Sequence, residues 1–572
     1  MAKFFGGFVT GIFFVLAVGG LLLLTVSWMQ SRPPSVADGS TVFLELEGSL
    51  PERAPVDIPL PWAREKQPLT MLDAWTVIHK AAIDKRVRAL VLEPQGLTAG
   101  WGKLEELRSS ILAFKKSGKP VFAYLRHPGT HDYYAAAAAD KIFMLPEDEL
   151  DMKGLRAELT YFKGTLDKVG VSMEFEAMGR YKDAPDEFTK TGPTPETLEV
   201  TNQILDRYYG DLLAVIANSR KKSLEDTKAI VDRGPFVSSE AKQEGLVDDL
   251  LYEDQFKDRL SHEISGGLKK ANAASYRSTS VTGWTGKTRI AFIAADGEIT
   301  GAVNPFSDDG ISAGDMSKTL RQVRDDDSIK GAILRIDSPG GDSFASDEIW
   351  HEARLLSAKK PVVISFSDLA ASGGYYIAMT GDPIVSYGNT LTGSIGVFYG
   401  RPNLRGLYDK IGLRKELLTR GKFAAIDSEY APLTPVERAK LRGEIEKTYT
   451  GFKQRVADAR KAQVKDVEPI AQGRVWLGTQ AKENGLIDET GGIDRALELL
   501  KSRIHAESLS IVAYPARKTI WEVLFPPPGT NDSLELKALE LKAVAKFLPR
   551  LPFTSLLNGG MLSVTPWRLE VR

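Results

Sequence analysis

Cysteine is absent from this chain of 572 residues. Its absence excludes disulfide bonds, thiolate metal ligands and a cysteine nucleophile. An excess of either charge is also lacking, because 74 lysine and arginine residues stand against 75 aspartate and glutamate residues, and we therefore expect no nucleic-acid partner. The sequence has no clustered pattern of metal ligands, so we expect no metal and no other cofactor. The chemistry must come from other side chains.

A long uncharged run stands near the N-terminus, at residues 4–28. It exceeds the roughly 20 apolar residues that a helix needs to cross a lipid bilayer, so we predict a transmembrane helix within an anchor of residues 1–31. The alternative is a cleaved secretory signal, for which residues 35–37 (SVA) offer small side chains. The run is longer than a usual signal core, which favours an uncleaved anchor. The body that follows would then lie on the outer face of the membrane.

Most of the chain consists of one unit repeated at an offset of about 240 residues. Three pairs of segments carry the repeat: 87–92 (VRALVL) with 329–334 (IKGAIL), 119–122 (KPVF) with 360–363 (KPVV), and 241–248 (AKQEGLVD) with 481–488 (AKENGLID). The first two pairs are short apolar runs typical of buried strands. Agreement at a constant offset predicts two tandem copies of one fold.

Each copy alternates apolar strands with helical stretches, such as residues 103–116 and 346–357. This alternation predicts the α/β class with largely parallel sheets. We place the first copy at residues 41–263, a polar linker rich in glycine, serine and threonine at 264–287, and the second copy at 288–506.

The C-terminal tail, residues 507–572, contains three consecutive prolines and then a candidate amphipathic helix. Its apolar positions are Leu534, Leu541, Val544 and Leu548. Such a helix packs against the body of the protein, or against a membrane surface or a second subunit.

The two copies differ at the loops, where a fold carries its function. The second copy has DSPGGD at residues 337–342, whose glycines allow backbone N–H groups to turn toward a bound oxygen, and the first copy has QGLT at 95–98. Opposite SGG at 372–374, the first copy has THD at 130–132. The second copy therefore holds the candidate nucleophile, Ser372.

A serine hydroxyl needs a general base, and the second copy has only two histidines, His351 and His505, neither well placed for a triad. The Clp protease family shares this class of fold and places a histidine about one strand after its serine. Here that position reads LTGSIG, residues 391–396, without histidine. A lysine is the natural substitute if an apolar pocket keeps it neutral, because lowering its pKa from about 10.4 to about 8 requires roughly 3 kcal/mol.

Three segments together resemble a known family, signal peptide peptidase A in its long form with two fused copies and an N-terminal anchor. They are residues 337–341 (DSPGG), 371–375 (ASGGY) and 391–396 (LTGSIG), and the resemblance extends over residues 41–500. It implies two tandem Clp/crotonase-like copies, of which the second supplies the serine and the first supplies the lysine.

The resemblance also assigns roles to single residues. Ser372 corresponds to the nucleophile, and Lys182, within the motif GRYKDA, corresponds to the base. Ser394 would orient the lysine. The backbone N–H groups of Gly341 and Gly373 would form the oxyanion hole.

Lys422 is an alternative base. It lies in residues 419–424 (TRGKFA), at the position that the repeat makes equivalent to Lys182. The resemblance also implies that relatives with a single copy hold both the serine and the lysine in that copy. Their separation along the chain is similar to that between Ser372 and Lys422. We favour Lys182 because the stretch around it matches the long-form motif better.

The resemblance implies a membrane-anchored serine endopeptidase that hydrolyses signal peptides already released from secreted proteins. It places the catalytic body at the periplasmic, outer face of a bacterial inner membrane, and it implies a homo-oligomer, a tetramer. A protease of misfolded exported proteins is the alternative. A crotonase-type acyl-CoA enzyme and an inactive membrane scaffold are rival classes, against which the anchor and the presence of Ser372 and Lys182 argue.

Overall fold

Strands and helices alternate along the chain, and the apolar runs of the repeat form buried strands. The computed structural model describes residues 36–54, 68–301, 310–517 and 560–564. Two sequence predictions lie outside these residues, the membrane-spanning run at 4–28 and the candidate helix of the tail at 534–548. Within the described ranges, no helix is both long enough and apolar enough to span a membrane.

One parallel sheet forms the centre of the first copy. The strands of this copy are β1 Ser40–Gly48, β2 Val87–Leu97, β3 Val121–Leu125, β4 Lys141–Met144, β5 Glu149–Leu150, β6 Ser172–Met178, β7 Phe236–Val237, β8 Asp249–Leu250 and β9 Lys269–Asn272. Its helices are α1 Met71–Ile83, α2 Trp101–Lys115, α3 Thr130–Ala136, α4 Lys163–Val169, α5 Asp186–Thr189, α6 Pro195–Arg220, α7 Leu224–Val231, α8 Ser238–Gln243, α9 Glu253–Glu263 and α10 Ala273–Tyr276. Six strands pair in the order β8-β4-β3-β2-β1-β9, each pair parallel.

The second copy repeats this arrangement with an eight-stranded sheet. Its strands are β10 Thr288–Asp296, β11 Ile299–Thr300, β12 Ile311–Ser312, β13 Ile329–Ser338, β14 Gly340–Asp342, β15 Val362–Ala371, β16 Ile384–Ser386, β17 Leu391–Gly393, β18 Val397–Asn403, β19 Val475–Leu477, β20 Glu489–Thr490, β21 Leu509–Tyr514 and β22 Gly560–Val564. Its helices are α11 Ala313–Asp325, α12 Ser343–Lys359, α13 Gly373–Ile377, α14 Arg405–Lys410, α15 Pro435–Arg460, α16 Val464–Val467, a 3₁₀ turn Glu468–Ile470, α17 Gly478–Glu483 and α18 Ile493–Arg503. The path β19-β17-β15-β13-β10-β21 is parallel except for the pair β17 and β19.

Both large sheets are buried on two faces, which explains why their strands read as continuous apolar runs. In β2, Leu90 and Leu92 join the main core of the first copy, whereas Ala89 and Val91 pack in a second cluster on the opposite face. Strand β13 divides its apolar side chains between two clusters in the same way. The α/β class with two copies and largely parallel sheets is confirmed.

The predicted linker and the start of the predicted tail differ from expectation, because both contain edge strands. Within residues 264–287, β9 pairs in parallel with β1, and α10 follows it. After residue 506, β21 pairs in parallel with β10, the first strand of the second copy. Each copy thus closes with a strand beside its own first strand. A polar composition does not prevent pairing at a sheet edge, where one side of the strand faces water.

A third sheet joins the two copies, in the order β12-β11-β14-β22-β18-β6. Strand β6 of the first copy pairs antiparallel with β18 of the second copy, from Ser172 opposite Asn403 to Met178 opposite Val397. Because β6 ends just before residues 179–184, this pairing carries that stretch of the first copy onto the second.

A buried arginine also links the copies. Arg335, on β13, has no exposed surface, and its guanidinium donates to Glu52 Oε1 of the first copy at 3.0 and 3.1 Å. It also bonds to Glu106 on α2, and it donates to Ser365 Oγ at 2.9 Å within the second copy. Charges buried this deeply require partners, so the two copies are fixed at a defined position relative to each other.

Candidate active site

Ser372 lies between strand β15 and helix α13, where the chain turns sharply. Its φ of 53° and ψ of −116° lie in a region that residues other than glycine rarely adopt. Its backbone N–H donates to the carbonyl of Gly393 at 2.8 Å, which holds the turn against β17. A strained strand-to-helix turn of this kind is typical of nucleophilic serines in hydrolases, because it presents the hydroxyl at the edge of the sheet.

Two glycines let this turn approach the loop at residues 337–342. A Cβ on Gly374 would lie 2.7 Å from the carbonyl oxygen of Ser338. A Cβ on Gly373 would lie 2.6 Å from Ser346 Oγ and 3.2 Å from the amide nitrogen of Gly341. Larger residues would force the two loops apart. The structure therefore brings Gly341 and Gly373, the sequence-predicted oxyanion donors, together directly beside Ser372.

Lys182 reaches this site from the first copy. Its Nζ lies 2.8 Å from Ser372 Oγ, 3.0 Å from Ser394 Oγ and 3.2 Å from the carbonyl oxygen of Ser394. Both serines have no exposed surface, and Lys182 is 4% exposed. The structure thus brings together, in one closed site, the predicted nucleophile, the favoured base and the residue expected to orient that base.

Burial lowers the pKa of Lys182 from 10.5 to about 7, although the nearby carboxylate of Asp183 acts in the opposite direction. Removing water from around an ammonium group favours its neutral form. A neutral amine has two N–H donors and one lone pair. Three oxygens lie within hydrogen-bond distance of Nζ, and in its neutral form the amine has donors for the two oxygens of Ser394 and a lone pair for the Ser372 hydroxyl.

The slot that holds Lys182 is lined by two glycines of the second copy, Gly396 and Gly473. A Cβ on Gly473 would lie 2.6 Å from Lys182 Cβ, and one on Gly396 would lie 3.1 Å from Lys182 Cδ. The backbone N–H of Tyr181 donates to the carbonyl of Gln472 at 2.8 Å and fixes the chain just before the lysine. Sequence analysis missed Gly473, because only the arrangement of the two copies shows that it faces Lys182.

Replacing Gly473 with alanine should therefore displace Lys182 and lower kcat about 100-fold or more, since a shift of about 1 Å in a reacting group has effects of this size. Gly485→Ala is a matched control, because Gly485 has a φ of 73° against 75° for Gly473 but no atom within 4 Å of its added Cβ. Both variants carry the same backbone strain. Equal losses of activity in the two variants would contradict the role of the slot.

The other candidate bases do not lie in this site. Lys422 is exposed and contacts the ring of the neighbouring Phe423 at 5.4 Å. His351 and His505 are also exposed, whereas Ser372 is fully buried. The structure therefore brings only Lys182, among the base candidates considered from the sequence, to the serine hydroxyl.

In the first copy, a carboxylate fills the place equivalent to the candidate oxyanion hole. Asp132 accepts hydrogen bonds from the backbone N–H groups of Leu97 at 3.0 Å, Gly129 at 2.9 Å and Gly96 at 3.2 Å. The N–H groups of Gly96 and Leu97 lie at the end of β2, as the loop at 337–342 begins at the end of β13. Because Asp132 already occupies them, they cannot receive a substrate oxygen.

A second buried lysine, Lys103, contacts the loop at residues 337–342 of the second copy. Its Nζ lies 2.7 Å from Asp337 Oδ2, at the start of DSPGGD, and Asp368 accepts from the backbone N–H of Lys103 at 2.7 Å. Burial disfavours its charge, but Asp337 and Asp368 outweigh this effect and raise the pKa of Lys103. The pKa values of Lys182 and Lys103 thus shift in opposite directions, because burial outweighs the single carboxylate of Asp183 at Lys182, whereas Asp337 and Asp368 outweigh burial at Lys103. No pattern in the sequence predicts this contact, because a lysine in a helix is usually exposed.

Two segments, one in each copy, match a known family. The family described as Peptidase family S49 matches residues 113–265 and 354–507. The protein "Serine protease SPPA, chloroplastic" of Arabidopsis thaliana is 38% identical over 522 residues, which are 89% of this chain and 74% of that protein. The protein "Protease 4" of Haemophilus influenzae is 31% identical over 450 residues, 75% of this chain and 72% of that protein. Among solved structures, a ClpP1 mutant from Listeria monocytogenes matches 36% of this chain and 94% of its own, with 17% identity and a TM-score of 0.25.

Proposed function

Because this chain belongs to peptidase family S49 and is a serine protease, we propose that it cleaves peptide bonds with Ser372 as nucleophile and neutral Lys182 as general base. The observation that carries the proposal is the 2.8 Å contact between Lys182 Nζ and Ser372 Oγ in a site closed to solvent. That distance lies within the reach required for direct proton transfer.

In the first step, Ser372 Oγ attacks the carbonyl carbon of the substrate while its proton passes to the lone pair of Lys182 Nζ. The backbone N–H groups of Gly341 and Gly373 would stabilise the negative oxygen that forms. Lys182, now an ammonium, returns the proton to the leaving amine, which departs. Water then hydrolyses the acyl-enzyme, with Lys182 acting again as base. Ser394 keeps the lysine oriented through both halves of the reaction.

The pH dependence follows from the need for a neutral lysine. We expect kcat/KM to rise with pH through about 7, the pKa of Lys182, because the ammonium form cannot accept the proton. In Asp183→Asn, loss of the nearby negative charge should lower the pKa further and move the rise to lower pH. Asparagine retains an oxygen that can accept from Thr197 Oγ1, now 2.5 Å from Asp183 Oδ2. A pH profile at constant ionic strength tests this, and an unmoved or upward-shifted limb would contradict Lys182 as the titrating base.

We propose released signal peptides as the main substrate class, with misfolded exported proteins as the alternative. An apolar cluster next to the lysine in sequence supports an apolar substrate, since Phe398, Phe175 and Phe188 pack with Ala184, which follows Lys182 by two residues. Extended peptides with apolar side chains would be bound there by burial of those side chains.

The substrate proposal is tested with a fluorogenic peptide carrying the apolar core of a signal peptide and a second peptide of equal length with serine and glutamine in its place. We expect the full chain in detergent to cleave the first with a kcat/KM about tenfold higher or more. Equal rates on both peptides and faster digestion of unfolded casein would favour the alternative substrate. Cleavage of an acyl-CoA thioester without any peptidase activity would favour a crotonase-type acyl-CoA enzyme.

We also propose that residues 4–28 anchor the chain as a single span in a bacterial inner membrane, with the catalytic body on the periplasmic side. The length and lack of charge of this run support the anchor. A membrane position would bring the site close to signal peptides left in the bilayer.

We further propose that the chains assemble head to tail into a homo-oligomer. In one chain, β6 follows α4 and pairs with β18 of the other copy. The stretch that follows α14, residues 411–420, is the repeat equivalent of β6, yet it is exposed and forms no strand. Leu418 within it is 86% exposed. If this stretch paired with the next chain, it would repeat the contact that β6 makes with β18. In a closed ring of four chains, every such stretch would then be paired. Sedimentation of the detergent-solubilised chain would give the number of subunits.

A further inference from the structure

Strands β13 and β15, which lead to the candidate oxyanion loop and the candidate nucleophile, separate just before they reach the site. Their parallel pairing is regular up to Ile336, opposite Phe366. It resumes at Ser338, opposite Ala370, so that Asp337 alone faces three residues of β15. A bulge of this kind interrupts the ladder of backbone hydrogen bonds, and other groups must therefore set the distance between the two strands.

The side chain of Asp337 and the first turn of α2 bridge this bulge. Asp337 Oδ1 accepts from the backbone N–H of Leu369 at 3.1 Å, and Asp337 Oδ2 lies 2.7 Å from Lys103 Nζ. The same ammonium lies 3.8 Å from Asp368 Oδ2. Asp368 also accepts from the backbone N–H groups of Lys103 at 2.7 Å and Gly100 at 2.9 Å. A helix of the first copy thus joins both strands of the second copy where their own pairing fails.

Hydrogen bonds connect Asp337 to the proposed oxyanion donor Gly341. The carbonyl of Asp337 accepts from the backbone N–H of Gly297 at 2.9 Å. The hydroxyl of Ser338 donates to the carbonyl of Gly297 at 2.7 Å and accepts from the backbone N–H of Gly340 at 3.2 Å. Any shift of Asp337 would therefore be passed along the loop to the next N–H group, which belongs to Gly341.

The contact between Lys103 and Asp337 is well suited to fix a distance. Lys103 is 3% exposed, and the two carboxylates that it faces keep it charged in spite of burial. Loss of one partner from a buried ion pair leaves the other without compensation, so the two groups stay together in the folded protein. The pair forms between the two copies, and it therefore exists only after they have docked.

We propose that Lys103 is a positioning residue for the oxyanion hole, acting through Asp337 to set the spacing between the backbone N–H groups of Gly341 and Gly373. This inference rests on the proposed function, because it assigns those N–H groups to a substrate oxygen. The first copy then contributes twice to catalysis, once by supplying Lys182 and once by holding the loop that stabilises the developing charge.

A double-mutant cycle tests the contact from both ends. Lys103→Met should lower kcat about 100-fold, the effect of losing one oxyanion donor, and should change KM less than about threefold. Asp337→Asn keeps an oxygen for the N–H of Leu369 but no longer pairs with the ammonium, and should lower kcat about tenfold. Because both changes break one contact, adding Lys103→Met to Asp337→Asn should cost less than about threefold more. Losses that multiply in the double variant would overturn the proposal.

The double variant also covers the case in which Lys103→Met does not fold, since that change alone leaves buried carboxylates without a cation. Asp337→Asn and the double variant remove the carboxylate charge that Lys103 contacts at 2.7 Å. Their kcat values can therefore be compared with each other alone, with circular dichroism as the check for folding. A further loss of about 100-fold in the double variant would show that Lys103 does not act through Asp337.

A peptide aldehyde separates a damaged oxyanion hole from a general loss of structure. Ser372 Oγ bonds to the aldehyde carbon as the C=O π bond opens, its proton passes to Lys182 Nζ, and the resulting oxyanion enters the hole. The matching peptide alcohol cannot form this bond. Lys103→Met should raise the inhibition constant of the aldehyde about 100-fold and change that of the alcohol less than about threefold. Equal changes for both inhibitors would overturn the proposal.

Lys80→Met is the matched control, because Lys80 is also a buried lysine on a helix of the first copy. It is 5% exposed, and its Nζ donates to the carbonyl oxygens of Arg277 at 2.8 Å and Thr279 at 2.6 Å, away from the 337–342 loop. Its kcat should stay within about threefold of wild type. Equal losses of kcat in Lys80→Met and Lys103→Met would overturn the proposal.

The same measurements separate this inference from the proposed function. If the wild-type chain shows no peptide cleavage that depends on Ser372, the proposed function fails and this inference fails with it. If the wild-type chain cleaves peptides through Ser372 but Lys103→Met keeps full kcat and full affinity for the aldehyde, the inference about Lys103 fails alone.

Discussion

Lys182→Met should lower kcat by about 10³-fold or more, and Ser372→Ala by about 10⁴-fold or more, while Lys422→Met should retain full activity. The difference follows from position. Lys182 Nζ contacts Ser372 Oγ in a closed site, whereas Lys422 is exposed beside Phe423. Hydrolysis of a fluorogenic signal-peptide fragment by the full chain measures all three variants.

The loss in Lys182→Met should not come from unfolding. Burial holds the pKa of Lys182 near 7 in the folded chain, against 10.5 when unfolded, so between these pH values the unfolded state binds more protons. Wild-type stability therefore rises with pH in this window, and removing the lysine at neutral pH should stabilise the fold by up to about 4 kcal/mol. The advantage of Lys182→Met should shrink toward pH 10.5. If Lys422→Met lost activity and Lys182→Met kept it, both the nucleophile and the general base would belong to the second copy.

Arg335→Met should lower the free energy of unfolding by about 3–5 kcal/mol, because it leaves two buried carboxylates without their cation. Burial raises the pKa of Glu106, and Arg335 only partly offsets this effect. Burial would also raise the pKa of Glu52, but Arg335, Lys103 and hydrogen bonds together hold it below its usual value. Without the guanidinium, both carboxyl groups should become neutral in the fold.

The stability difference between Arg335→Met and wild type should depend on pH. In Arg335→Met the folded pKa of each carboxyl lies above its unfolded value, so the variant gains stability relative to wild type as the pH falls. Arg495→Met is the control, since Arg495 pairs with Glu489 and Glu498 at the surface and its loss should lower the free energy of unfolding far less. Thermal and urea unfolding of the full chain measure both. Similar losses for Arg335→Met and Arg495→Met would mean that the buried charges do not hold the copies together.

The repeat was readable from the sequence because its strands are buried on both faces. Apolar runs such as residues 87–92 and 329–334 fall within β2 and β13, and the helical stretches at 103–116 and 346–357 overlap α2 and α12. Ser372 was readable for a related reason, since the two copies differ at that loop and the second alone has the small residues that a tight turn needs.

The rest of the site depends on how the two copies meet, which no local pattern encodes. Gly473 looks like any turn glycine until Lys182 is placed against it. Lys103 and Arg335 resemble ordinary charged residues of a helix and a strand, and only their partners in the other copy explain their burial. Strand β22 lies beyond a long stretch with no strand pattern, so its pairing beside Gly341 could not be anticipated.

The division of Lys182 and Ser372 between copies has a consequence for the growing chain. The two residues stand 190 positions apart, and the lysine is synthesised first. At roughly 5–20 residues per second, about 10–40 s of translation pass before the serine leaves the ribosome, and the second copy must still fold onto the first. Under the proposed mechanism, the half-made molecule contains a base without a nucleophile during that time. Proteolysis by the proposed pair would then begin only when synthesis and docking of both copies are complete, so a cell that makes this protein would not be exposed to an active fragment.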